Sequence, residues 1–189
     1  MPRSENSDLP PYIYNDLKST DALRLLRIRP SGSQTNDIEC ELFEVEHDHS
    51  QSYDAVSWCW GMEKWDKSIR IIQDEQVFLF SISPNLESAL RALRRDRRPR
   101  ILWVDAICIN QANPEEKNHQ VPMMAHIYGR AKKVRIWLGD EDTDEKEGSK
   151  RALNFIKNEV LQIWEFDKLC ENDKATDGWA ALLRLMNRP

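Results

Sequence analysis

Apolar positions along the chain change their spacing several times, and each change marks an element. Leu23 to Ile28 and Ile38 to Val45 alternate or run apolar on either side of Pro30-Ser31-Gly32-Ser33-Gln34-Thr35-Asn36-Asp37. Two strands joined by a turn-rich loop, an N-terminal β-hairpin, are predicted there. Tyr53 to Trp58 is a short apolar run that gives way to Cys59-Trp60-Gly61, the pattern of a buried strand with a glycine turn at its end. Ile69 to Ile72 and Val77 to Phe80, linked by Gln73 to Gln76, predict a second hairpin. The spacing then becomes helical: Ser83 as cap, Pro84 at the first helical position, Leu86, Leu90 and Leu93 as a stripe, and Pro99 as the stop.

Ile101 to Ile109 is nearly continuous in apolar residues, as a strand covered on both faces would be, and is expected to lie centrally. Asn113-Pro114-Glu115-Glu116 opens a helix running to Ala131, and Val134 to Leu138 forms a strand closed by Gly139. Strand, helix and strand at this spacing make a βαβ unit. Beyond it, Asp140 to Glu147 holds six acidic residues and reads as a solvated loop, followed by amphipathic helices over Lys150 to Trp164 and Trp179 to Met186. The expected organisation is one α/β domain over 1–189, with a lead over 1–20, a core over 21–139 and a helical part over 140–189. Its central sheet is expected to be mostly parallel and flanked by helices.

Composition narrows the class. The 189 residues are 31% charged and 40% hydrophobic with a mean hydropathy of −0.68, which fits a globular domain. A net charge of −5 argues against general binding of nucleic acid through phosphates. Met1 to Asn6 lacks the apolar core of a secretory leader, so secretion is not expected, and no apolar run approaches the roughly 18 residues that span a bilayer. Cys40, Cys59, Cys108 and Cys170 stand singly, as reduced thiols of a cytoplasmic protein do. Six of the ten residues from Arg91 to Arg100 are arginine, a solvated helix end on the plainer reading and a patch for an anionic ligand on the other.

Candidate chemistry gathers where parallel strands end, since loops and helix N-termini converge there. Ser57, Trp58, Trp60 and Gly61 follow one strand; Asn110 and Gln111 follow another and lead to Glu116. Were the strands neighbours, tryptophans would wall a pocket, amides would floor it and carboxylates would rim it, a setting for a flat, hydroxyl-bearing ligand. The plainer reading makes Trp58 and Trp60 packing residues and Glu116 the third helical position of a capping box begun by Asn113. Asp105, set among apolar residues of the central strand, has to be paired, and is expected to organise the loops behind the pocket. Thiol catalysis by Cys59 or Cys108 with His119 or His126 lacks a flanking signature, and Cys40, His47 and His49 lack a fourth ligand, so no metal is expected.

Tyr53-Asp54-Ala55-Val56-Ser57-Trp58-Cys59-Trp60-Gly61 and Leu102-Trp103-Val104-Asp105-Ala106-Ile107-Cys108-Ile109-Asn110-Gln111 closely resemble two of the three motif blocks of the heterokaryon-incompatibility (HET) domain. The second block continues through Glu116, Gln120, Met124, Ile127-Tyr128 and Ala131. The third, an Arg-x-Trp followed by Gln-Glu, is absent; the residues end at Asn187-Arg188-Pro189 where it would begin, which reads as a truncated product. Pro122 is a further departure and predicts a kink or restart in the Glu116 helix.

The resemblance implies a cell-death effector of fungal non-self recognition, acting with a recognition partner or fused sensor and assembling as a homo-oligomer. It also implies a distant relation to Toll/interleukin-receptor (TIR) domains, which have a flavodoxin-like fold and include enzymes that hydrolyse NAD. On that analogy Glu116 is the catalytic carboxylate and NAD the substrate, with no cofactor, while Ser57, Trp58, Trp60, Gly61, Asp105, Asn110, Gln111 and Gln120 hold it. Nicotinamide leaves as a neutral base, so a single ionised carboxylate suffices to hold ribose hydroxyls and stabilise an oxocarbenium-like transition state. The alternative is a module that kills by homotypic assembly without chemistry.

Overall fold

The computed structural model describes residues 9–46, 50–61 and 64–140, together with Lys150, Leu153 and Asn154. The chain divides into two units, Met1–Trp137 and Leu138–Pro189. In the second, the described residues Lys150, Leu153 and Asn154 are helical. Most of the acidic run, the helices expected after Asn154, His47, His49 and Cys170 lie outside the described residues.

The first unit is built on one seven-stranded sheet. β1 (Ala22–Ile28) and β2 (Glu39–Glu46) form the expected hairpin, antiparallel from Ala22 opposite Glu46 to Ile28 opposite Cys40. β3 (Asp54–Ser57) is followed by a second hairpin, β4 (Lys67–Gln73) and β5 (Gln76–Ile82). Its two-residue turn places both Asp74 (φ 49°) and Glu75 (φ 63°) in the left-handed region, as a twist-matched hairpin turn requires. α1 (Pro84–Leu93) is capped by Ser83, whose Oγ accepts from Leu86 N at 3.2 Å, and buries Leu86, Ala89 and Leu90.

β6 (Arg100–Trp103) is shorter than the sequence pattern implies. The strand expected over Ile101 to Ile109 ends at Trp103, and Asp105–Cys108 forms a single helical turn, α2, that packs against β1. A continuous apolar run shows burial on all sides, and a buried helical turn meets that condition as well as a strand. Ala106, Ile107, Cys108 and Ile109 are all at most 1% exposed. Asp105 therefore begins a helical turn and is not a residue of the central strand.

α3 (Pro114–Arg130) continues for 17 residues past Pro122 without a restart, and β7 (Lys133–Ile136) closes the unit. The freed carbonyl four residues before Pro122 belongs to exposed Asn118, where water can take over the missing bond. The sheet order is β5-β4-β2-β1-β6-β3-β7. β3 pairs in parallel with both β6 and β7, and β2 with β4; β1 is antiparallel to β2 and β6, and β5 to β4. The sheet is thus mixed, where a mostly parallel one was expected, because two N-terminal hairpins are built into it. The first hairpin is no appendage: β1 sits at the centre, with Leu23, Leu25, Leu26 and Ile28 at most 2% exposed.

Candidate functional site

The β3 and β6 strands run side by side in parallel, so the two motif segments meet at one end of the sheet. There Asp105 joins them. Its Oδ1 accepts from Trp58 Nε1 at 2.8 Å and its Oδ2 from Trp60 Nε1 at 2.9 Å, while Ala106 N donates to Oδ1 at 2.8 Å. One carboxylate thus holds two indoles, which stack with centroids 5.8 Å apart and planes 20° from parallel. Trp65 leans on Trp60 with centroids 5.6 Å apart and planes tilted by 52°, adding a third ring to the cluster. Trp60 is 37% exposed, so the outer part of this aromatic ledge faces solvent.

Positioning of the ledge is local. Gly61 has φ 62°, a conformation costly for any side chain, and turns the chain immediately after Trp60. Asn85, near the start of α1, donates to Cys59 O and accepts from Trp137 Nε1, both at 2.8 Å. Trp137 N in turn donates to Ser57 O at 2.8 Å, tying the end of β3 to the chain after β7. Gln111 reaches back to Asp105 O at 3.0 Å.

Glu116 belongs to a second cluster. Asn113 caps α3, its Oδ1 accepting from Glu115 N and Glu116 N at 3.0 and 3.2 Å. From the first turn of that helix the Glu116 carboxylate makes a two-pronged ion pair with Arg24 of β1: Oε1 to Nη1 at 2.5 Å and Oε2 to Nη2 at 3.1 Å. Oε1 also accepts from Asn110 N at 2.7 Å. Both side chains are nearly buried, 6% exposed for Arg24 and 7% for Glu116. Arg24 donates further to Asn15 O and Cys108 O, and its guanidinium lies 4.9 Å from the Tyr14 ring centroid. Gln120, one turn along α3 and 1% exposed, donates to Ala22 O at 2.8 Å.

The candidate residues therefore fall into two groups. Ser57, Trp58, Trp60, Gly61, Asp105 and Gln111 form the aromatic ledge; Glu116, Asn110 and Gln120 form the ion-pair cluster. Beside the second group lies a pocket of about 230 Å³, lined among others by Ser19, Thr20, Asn113, Glu116, His119 and Gln120. Among the described residues no tryptophan lines it. Cys40 and Cys108 are buried thiols; burial pushes the Cys108 pKa up to about 12, so it stays protonated at neutral pH. Among the described residues no three His, Cys, Asp or Glu side chains gather as a metal site would require.

Arg24, Asn85, Trp65 and Trp137 had no place in the sequence reading. Arg24 did carry a signal: strand alternation puts it on the face of Leu26 and Ile28, where a charge needs a partner.

Comparison with known proteins agrees with this arrangement of motifs. Residues 53–189 match the family described as heterokaryon incompatibility protein (HET), and the chain belongs to that family. It is 31% identical over 187 residues to heterokaryon incompatibility protein 6, OR allele, of Neurospora crassa. That alignment covers 93% of this chain and 26% of the relative, so the chain spans about a quarter of the length of the curated protein it matches. No solved structure matches the chain.

Proposed function

We propose that this chain is a module of fungal heterokaryon incompatibility, signalling cell death after non-self recognition, and that it works as a scaffold for assembly. Family membership and the name of the Neurospora relative support the first half. The state of Glu116 carries the second: its carboxylate is spent on Arg24 and Asn110 N, away from the tryptophans that would stack a nicotinamide or adenine ring. Both clusters tie loops to the sheet and give the motif surface one fixed shape. On this reading the module assembles with copies of itself in the cytoplasm once a partner or sensor domain has registered the foreign allele. It uses neither cofactor nor nucleic acid; among the described residues no helix is long and apolar enough to cross a membrane.

A second reading, TIR-like NAD glycohydrolase activity, rests on the 230 Å³ pocket at whose edge Glu116 lies. The parallel trio β6, β3 and β7, with α3 connecting β6 to β7, is the part of the sheet a flavodoxin-like arrangement would share. Incubating the purified chain with NAD at high protein concentration, beside Glu116→Gln and His119→Ala, separates the two. The scaffold reading expects no nicotinamide above the blank from any of them, and cell death on induced expression in a fungal host all the same. Nicotinamide release by the wild type that disappears in a folded Glu116→Gln chain would establish the enzyme instead.

A further inference from the structure

The arginine-rich stretch resolves into parts with different duties. Arg91 is in the last turn of α1, pairs with Glu87 at 2.7 Å and donates to Gln34 O and Asn36 O. Arg94, 5% exposed, gives its two terminal nitrogens to the carbonyls of Ser33, Gln34, Asn36 and Asp37 and so organises the loop between β1 and β2. These two are structural. Arg95 follows the C-cap of α1 and Arg100 opens β6.

Arg95 and Arg100 instead line a cavity of about 200 Å³ with Lys132, Asp54, Ser52 and Tyr53. It sits where β3, β6 and β7 begin, the end of the sheet opposite the tryptophan ledge. Asp54, the carboxylate on its wall, is taken by Arg135 at 3.0 Å. Among the described residues no side chain makes a hydrogen bond or ion pair with Arg95, Arg100 or Lys132. Arg100 Nε is buried without a hydrogen-bond partner. Burial, then the charges of Arg95 and Arg135, lower the Arg100 pKa, with Asp54 opposing, so Arg95 and Arg100 repel one another at this cavity.

Three cations around one concavity, none with a side-chain partner among the described residues, is an arrangement that a multiply charged anion would complete. We propose that this cavity binds a phosphate group of a small soluble ligand, with Arg95 and Arg100 supplying guanidinium forks and Lys132 a point charge. Guanidinium matches the spacing of two phosphate oxygens, and the ammonium group adds attraction without directional demand. The site is independent of the function proposed above, since it shares no residue with the ledge or the Glu116 cluster.

Titration calorimetry of the full 189-residue chain with pyrophosphate tests it, with inorganic phosphate as the smaller probe. Saturable one-to-one binding of pyrophosphate is expected, weakened at least tenfold by Arg100→Gln and by Arg95→Gln. Arg98→Gln, which removes the same charge from an exposed position outside the cavity, should change it less than twofold. Should Arg100→Gln fail to fold, Lys132→Gln reads the same cavity from the chain before β7 and should weaken binding at least fivefold. No binding by the wild type, or equal losses in Arg98→Gln and Arg95→Gln, would overturn the site. So would binding to vesicles containing phosphoinositide with none to pyrophosphate.

Discussion

A carboxylate at the start of a helix can serve chemistry or architecture, and here its partners decide. Glu116 and Arg24 are both nearly buried, so each depends on the other for its charge to be tolerated. Glu116→Leu alone should cost about 3–5 kcal/mol in urea unfolding, because it strands a buried guanidinium, and Arg24→Met should cost a similar amount. The double variant should recover most of the loss; equal, additive losses would show that the pair is not the unit. Asp105 is argued in the same way. Asp105→Ala releases two indole N–H groups at once and should destabilise by about 2–3 kcal/mol, with the tryptophan emission shifted to the red. Both carboxylates could be picked out from sequence, Asp105 because it interrupts an apolar run and Glu116 because it fits the third position of a capping box. Their partners could not, since Arg24 lies 92 residues from Glu116 and nothing local links them.

Elements were legible where the signal was local. Both hairpins, the Ser83 and Asn113 caps and the extent of α3 follow from turn chemistry and periodicity. The run from Ile101 to Ile109 misleads because complete burial erases the alternation that would tell a strand from a helical turn. Pro122 does not interrupt the helix, which carries it on an exposed face, with Glu116, Gln120 and Ile127 as its buried residues. Tolerance still carries a cost, as the proline lacks the N–H for Asn118 O and crowds that carbonyl. Pro122→Ala should therefore raise stability, by up to about 3 kcal/mol, without altering the fold. A lower urea midpoint in that variant would mean that Pro122 makes contacts that outweigh its backbone penalty.

At the scale of the molecule, strand direction was the hardest feature to read, because it depends on which distant strands find each other. β1 pairs with β6 and β2 with β4, and no turn or periodicity announces either choice. The sheet that results buries several acidic groups in neutral form. Burial raises the pKa of Tyr14, of Cys40, of Cys108 (to about 12) and of Tyr128 (to about 12), the last helped by the Asp105 charge. Unfolded thiols and phenols titrate near 9.0 and 10.0. Above about pH 9 the unfolded chain therefore holds fewer protons than the folded one, and the stability lent by these groups declines as pH rises. That stability is fully present at neutral pH. The urea midpoint should fall steadily between pH 8.5 and roughly 11. Cys108→Ala removes one of the linked protons, so its midpoint should fall less steeply than that of the wild type even if it starts lower. Parallel slopes would place the alkaline sensitivity elsewhere. A midpoint that rises with pH would contradict the burial of these groups altogether.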